Sequence, residues 1–242
     1  MMNNTVRKYF IKYTLEFIVI VLGISFSFLV QNIREETELD SNRQLIFKSL
    51  LSELESNESY ITSRKKAFVR EMDYVSKFLK DSLTKNKIKK YPENLSPLNP
   101  FLSAVTFNPS TSIYNSLIND GSFNLIKSST LKSLIDEVYN INYKAIQHIA
   151  QLELEVANEA DRFFAINYSK TYSKNFWFNT SDEKLTNSVF EIMENNYRFR
   201  ALMVQKISYM EVKIISMSKY IEKRNLLIKL LKNHITDENQ IN

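Results

Sequence analysis

With no cysteine in the chain, metal binding and proton transfer fall first to histidine, and there are two, His148 and His234. A helical metal site needs two imidazoles one turn apart, or a Glu-x-x-His pair, so that both ligands leave one face of the helix. Neither pattern surrounds either residue, and so small a supply leaves little from which to build a Ser-His-Asp relay. His148 reads as a partly buried residue at the edge of an apolar helical face. His234 falls in the tail. Acidic residues are plentiful, but their periodicity scatters them over polar faces, whereas a carboxylate pair for acid–base work requires burial. Only two glycines, Gly23 and Gly121, occur in 242 residues, which excludes a glycine-cradled phosphate site and a turn-rich β-protein. The expectation is a protein that is not an enzyme and holds no metal or cofactor.

One carboxylate stands apart. Glu16 opens the run "EFIVIVLGISFSFLVQN", and at about 100° per residue Glu16, Gly23, Ser27 and Gln31 fall near one helical face. A small-x-x-x-small pair lets two membrane helices approach closely, and Ser and Gln supply interhelical hydrogen bonds. An acid inside a span is costly unless it meets protein, water or a counter-charge. Three roles stay open for it: a helix-association face, an ion or water path, or simple tolerance one turn from Lys12 near the membrane surface.

Those residues require a membrane helix to position them. Phe17–Val30 is free of charge but short for a span, and extending it to residues 9–33 gives roughly 37 Å of helix. Lys12 can snorkel, and Tyr9 and Tyr13 suit the interface. No small-residue cleavage site follows the apolar core, so the segment reads as a retained anchor. Arg7, Lys8 and Lys12 precede the charge-free run, while Arg34, Glu35, Glu36, Glu38 and Asp40 follow. The excess of cations places residues 1–8 in the cytoplasm and residues 34–233 in the periplasm. Residues 1–34 carry +3 of the total +5, so the basic balance belongs to the membrane flank and no nucleic-acid partner is expected.

Lys8-Tyr9, Glu16, Gly23-Ile24, Gln31-Asn32 and Glu35-Glu36 are spaced as in the opening of an uncharacterised family of single-pass membrane proteins of Bacteroidota. Tyr114-x-x-Leu117-x-x-x-Gly121, followed by Leu125-Ile126, resembles that family's mid-chain motif. The chain departs from the pattern at Leu15, where the family usually has Gly, and at Ile33, where it usually has Trp. The resemblance implies an N-terminal membrane helix with a helical extracytoplasmic domain, and implies no activity.

Beyond the anchor the pattern is all-α. All four prolines lie between Pro92 and Pro109, leaving long segments free to be helical. The membrane helix is expected to run on through Ile46, Leu50, Leu54, Ile61, Phe68 and Val75, interrupted by Arg43, Asn57 and Arg64. Residues 84–110 are expected to form a Lys- and Pro-containing loop at the distal end. Ser110 or Thr111 would cap a short helix ending at Gly121. Ser128 or Ser129 would open a long helix whose face runs Leu131, Leu134, Val138, Ile141, Ala145, Ile149, Leu152, Val156, Ala160 and Phe163. A Thr180–Glu183 capping box precedes a last helix with the face Ile192, Asn196, Phe199, Met203, Ile207, Met210, Ile214, Met217, Ile221. Three long helices then form an elongated antiparallel bundle, with residues 234–242 a flexible tail. The middle helix returns toward the bilayer and sets Phe176, Trp177 and Phe178 at the membrane surface as an interfacial anchor.

The function expected from this layout is a non-enzymatic scaffold, self-associating through the span and presenting a bundle to an unidentified protein partner. The alternative is an oligomeric pore, or a subunit of an ion-driven assembly, using Glu16.

Overall fold

The first break in the helix that begins the chain comes only at Asn57. The computed structural model describes residues 4–79, 98–169 and 191–238, and every regular element among them is helical. Helix α1 spans Asn4–Ser56 and α2 spans Glu58–Leu79. The junction barely interrupts the ladder, since Asn57 N–H still donates to Glu53 O and Ile61 N–H to Asn57 O. Helix α3 (Asn99–Leu102) and α4 (Ser112–Asn119) are short. A 3-10 turn, Ser122–Leu125, follows Gly121, whose φ of 77° is the left-handed conformation that glycine adopts without strain. Helix α5 (Ser129–Asp136) passes through a π-turn (Glu137–Asn142) into α6 (Tyr143–Asn167). Helix α7, Tyr197–Glu238, is 42 residues long.

Local chemistry explains the ends. Ser128 Oγ accepts from Leu131 N–H at 3.2 Å and caps α5. Asn196 ends the helical turn 191–195 and restarts the chain, its Oδ1 accepting from Phe199 N–H at 3.0 Å. The short helix α4 is capped neither by Ser110 nor by the Thr111 side chain. Its cap comes from another helix: Glu53 Oε2 accepts from Ile113 N–H at 2.6 Å and from Ser112 Oγ at 3.2 Å. An anion at a helix N-terminus meets the positive end of the peptide dipoles, which offsets part of the cost of burying Glu53.

The helix directions differ from the expected up-and-down order. Helix α7 begins against Leu79, where Arg200 Nη2 donates to Leu79 O at 2.9 Å. It ends beside α1, where the His234 ring lies 5.6 Å from Phe47 and Lys232 pairs with Glu55 at 2.7 Å. The α5–α6 arm starts near α1, through Tyr139 and Glu53, and ends with Phe163 and Phe164 around Phe199. It therefore runs alongside α1–α2, away from the apolar stretch of α1, and only α7 returns. The missing return stroke is made by an extended segment, Ser103–Thr111. Nine extended residues at about 3.3 Å each cover the length of roughly 20 helical ones, so a connection that reads as a loop traverses much of the bundle.

Several other expectations are corrected. Residues 98–110 are not a distal loop but a packed strap, with Phe107 and Pro109 buried and Thr106, Asn108 and Ser110 exposed in alternation; residues 84–97 lie outside the described set. His234 belongs to α7, which continues to Glu238, and His148 is exposed. Thr180 and Glu183 lie outside the described residues, as do Phe176, Trp177 and Phe178. The helix directions from which a bilayer contact was expected for those three aromatic residues are nonetheless reversed.

The apolar face of α5–α6 also shifts. Leu131, Leu134 and Val138 are buried as expected, as are Val156, Ala160 and Phe163 further on, but Ile141 is 57% exposed and Ala145 is exposed, while Ile146, Ala150, Glu153 and Ala157 also point inward. A π-turn carries one extra residue, which rotates everything after it by about 100°. Asn142 Nδ2 donates to Glu137 O at 2.7 Å across that turn.

Candidate functional site

Two constellations have functional potential: the outward face of α1, and a charged layer inside the bundle.

On α1, every described residue from Tyr13 to Leu39 is exposed, and Glu16, Gly23, Ser27 and Gln31 share one side of the helix. A Cβ added at Gly23 meets no atom within 4 Å, so none of the described residues occupies that face. Ser27 Oγ donates to Gly23 O at 2.9 Å, and Gln31 Nε2 donates to Glu35 Oε1 at 2.9 Å. Both polar groups thus have partners within α1, which lowers the cost of their presence in an apolar segment.

The layer inside the bundle is built by α2, α6, α7 and the strap. Buried positions along α7 recur in steps of three and four: Phe199, Met203, Lys206, Met210, Lys213, Met217, Tyr220, Arg224, Leu227, Leu231. The expected stripe through Ile207, Ile214 and Ile221 is only half-buried, one residue off the true face. Lys206, Lys213 and Glu153 are each 0% exposed. Lys206 Nζ donates to Glu153 Oε1 at 2.9 Å and to Ser103 O at 2.5 Å. Lys213 donates to the other carboxylate oxygen, Oε2, and to Val105 O at 3.3 Å, and its ammonium lies 4.3 Å from the Phe68 ring centroid. Glu71, 3% exposed, supplies a second negative charge that favours the charged form of Lys206. Desolvation is the larger influence on Lys206 and pushes its pKa down from the ordinary value, with Glu153 opposing it.

This layer divides two apolar clusters. On α2 it falls between Phe68 and Tyr74, on α6 between Ile146 and Val156, on α7 between Met210 and Met217, and on the strap between Leu102 and Phe107. The two lysines do double duty, neutralising Glu153 and satisfying strap carbonyls that have no sheet partner. Elsewhere the strap is held the same way. Asn57 both donates to Ser110 O and accepts from Ser110 N–H at 2.9 Å, and Tyr60 Oη accepts from Asn108 N–H at 2.7 Å.

A second buried group surrounds Glu53. Tyr139 Oη donates to Glu53 Oε1 at 2.9 Å, and burial, with the adjacent carboxylate, holds the Tyr139 phenol protonated well above its ordinary pKa. The Tyr139 and Tyr114 rings stack at 4.4 Å. Arg224 donates to Leu54 O at 2.6 Å and pairs with Glu58 at 2.5 Å.

Carboxylates expected on polar faces, Glu53, Glu71 and Glu153, are therefore in the core. Full burial gives a substrate no approach to Glu153 or either lysine, so the cluster positions elements rather than reacting groups. No group of three or more metal-ligating side chains occurs among the described residues. No family model, curated protein or solved structure matches the chain. What bears on function is therefore the geometry itself: a helix long and apolar enough to cross a membrane, joined to a bundle locked by buried charge.

A signal for Lys206 and Lys213 was present in the sequence. They stand seven residues apart, in phase with Phe199, Met203, Met210 and Met217. Three isoleucines one position later carry a stronger apolar signal and mask that phase.

Proposed function

We propose that the protein is a non-enzymatic, single-pass membrane scaffold, with its N-terminus cytoplasmic and its bundle periplasmic. It self-associates through α1 and presents the bundle to a protein partner. The observation that carries this reading is the complete exposure of the apolar stretch of α1, none of which the bundle covers although the two form one helix. Apolar surface of that extent is stable only in lipid or against another chain. The charged layer supports a scaffold rather than a reaction site, because it fixes four elements in one register and admits no substrate.

The test is the mass of the detergent-solubilised protein, with a topology reporter fused after Asn242. The reading expects a complex larger than one protomer, shifted toward monomer when Gly23 and Ser27 are both replaced by Leu, and reporter activity only outside the cytoplasm. A monomer insensitive to those substitutions overturns the self-association, and cytoplasmic activity overturns the orientation.

A further inference from the structure

We infer that the association surface does not stop at the membrane: the face of α1 that carries Gly23 and Ser27 continues outward to Ser56 and receives the same face of a second copy. This deepens the proposed self-association and rests on it. At about 100° per residue from Gly23, Arg34, Ser41, Leu45 and Ser52 lie within roughly 40° of it, whereas Ile46, Leu50 and Leu54 lie roughly 140–220° away. Those last three are buried in the bundle, at 7%, 0% and 1% exposure, and the other two buried positions of α1, Phe47 and Glu53, lie roughly 120° from Gly23 on either side. The bundle is thus built on the side of α1 opposite the proposed association face, and none of the described residues covers that face.

The occupant is a second copy for three reasons. Copies inserted in one membrane with one orientation present α1 in parallel, so the same faces meet in register. The face bears a large apolar residue that the bundle leaves 60% exposed, Leu45, which a partner's Leu45 covers. Arg34, which would otherwise face its own image, has Glu38 one turn away on the same side, so pairing sets each guanidinium beside the partner's carboxylate. Beside this face a groove of 460 Å³, lined by Leu45, Ser49, Ser52, Ser56 and Ser110, leaves room for close helix approach. A strip from Gly23 to Ser56, about 50 Å by 10 Å, buries on the order of 500 Å² per copy. That is below the roughly 800 Å² typical of a stable interface, so the outer part pairs only when the span holds the copies together.

The chain has no cysteine, so single cysteines placed in the full-length protein in membranes report contact directly. Cysteines at Arg34, Ser41, Leu45 and Ser52 are expected to give at least five-fold more disulfide-linked dimer on mild oxidation than cysteines at Glu36 and Leu39, which are exposed on the opposite side. His148, exposed on α6, serves as a distant control. Linkage at Gly23 and Ser27 with only control levels at Ser41, Leu45 and Ser52 overturns the outward continuation while sparing association in the span. No linkage at any position overturns both. Equal yields at all positions, controls included, mark random collision and also reject the inference.

Discussion

Lys206 and Lys213 show how a side chain's place can defeat its polarity. Each stands where apolar periodicity calls for a hydrophobe, and each is accommodated because Glu153 supplies charge and the strap supplies carbonyls. Replacing Glu153 by Met leaves two buried ammonium groups without their shared carboxylate, and is expected to lower unfolding stability by about 3–5 kcal/mol. Replacing all three residues by Met is expected to restore only part of that loss. The charges are then gone, but the Ser103 and Val105 carbonyls lose their donors at about 1–3 kcal/mol each. Urea unfolding followed by far-UV circular dichroism in detergent measures both, and a triple variant as stable as the parent sinks the double role. At this scale much of the core was legible, including Phe199, Met203, Met210 and Met217. The pairing of the buried charges was not, because a partner 53 or 60 residues away in the chain leaves no local trace in sequence.

At the scale of elements, caps and interruptions matter more than helix length. Ser128 announces the start of α5, but the cap of α4 comes from Glu53, a long-range donor–acceptor match that no local motif encodes. The π-turn was likewise invisible, since its residues, Glu137–Asn142, fit an uninterrupted α-helix equally well. Deleting the exposed Ile141 should convert the turn to α-helix without moving Ile146, Glu153 or Phe164, at a cost under about 1 kcal/mol. Deleting the exposed Asn158 should rotate Ala160, Phe163 and Phe164 out of the core and cost several kcal/mol, as loss of buried aromatic packing does. The same denaturant titration compares the two, and equal costs would falsify the register-shifting role of the turn. The strap is the third such case: Phe107 and Pro109 face inward with a period of two, a pattern too short to distinguish a traversing segment from a loop.

For the whole molecule, a helix long and apolar enough to cross a membrane and the all-α class were plain from the sequence, whereas the path of the chain was not, because a helical pattern carries no direction. With α6 running away from the apolar stretch of α1, the C-terminal end of α6 and the start of α7 lie at the bundle end remote from that stretch. The unbroken course of α1 has a mechanical consequence. In the proposed membrane placement, a span of about 37 Å exceeds a hydrocarbon core of about 30 Å and leans to fit. With no hinge before Asn57, the lean passes undiminished into the bundle: a 10° change in tilt swings Ser56, about 35 Å beyond Ile33, sideways by roughly 6 Å. In that placement the outer end of α1 moves sideways as the bilayer thins or thickens.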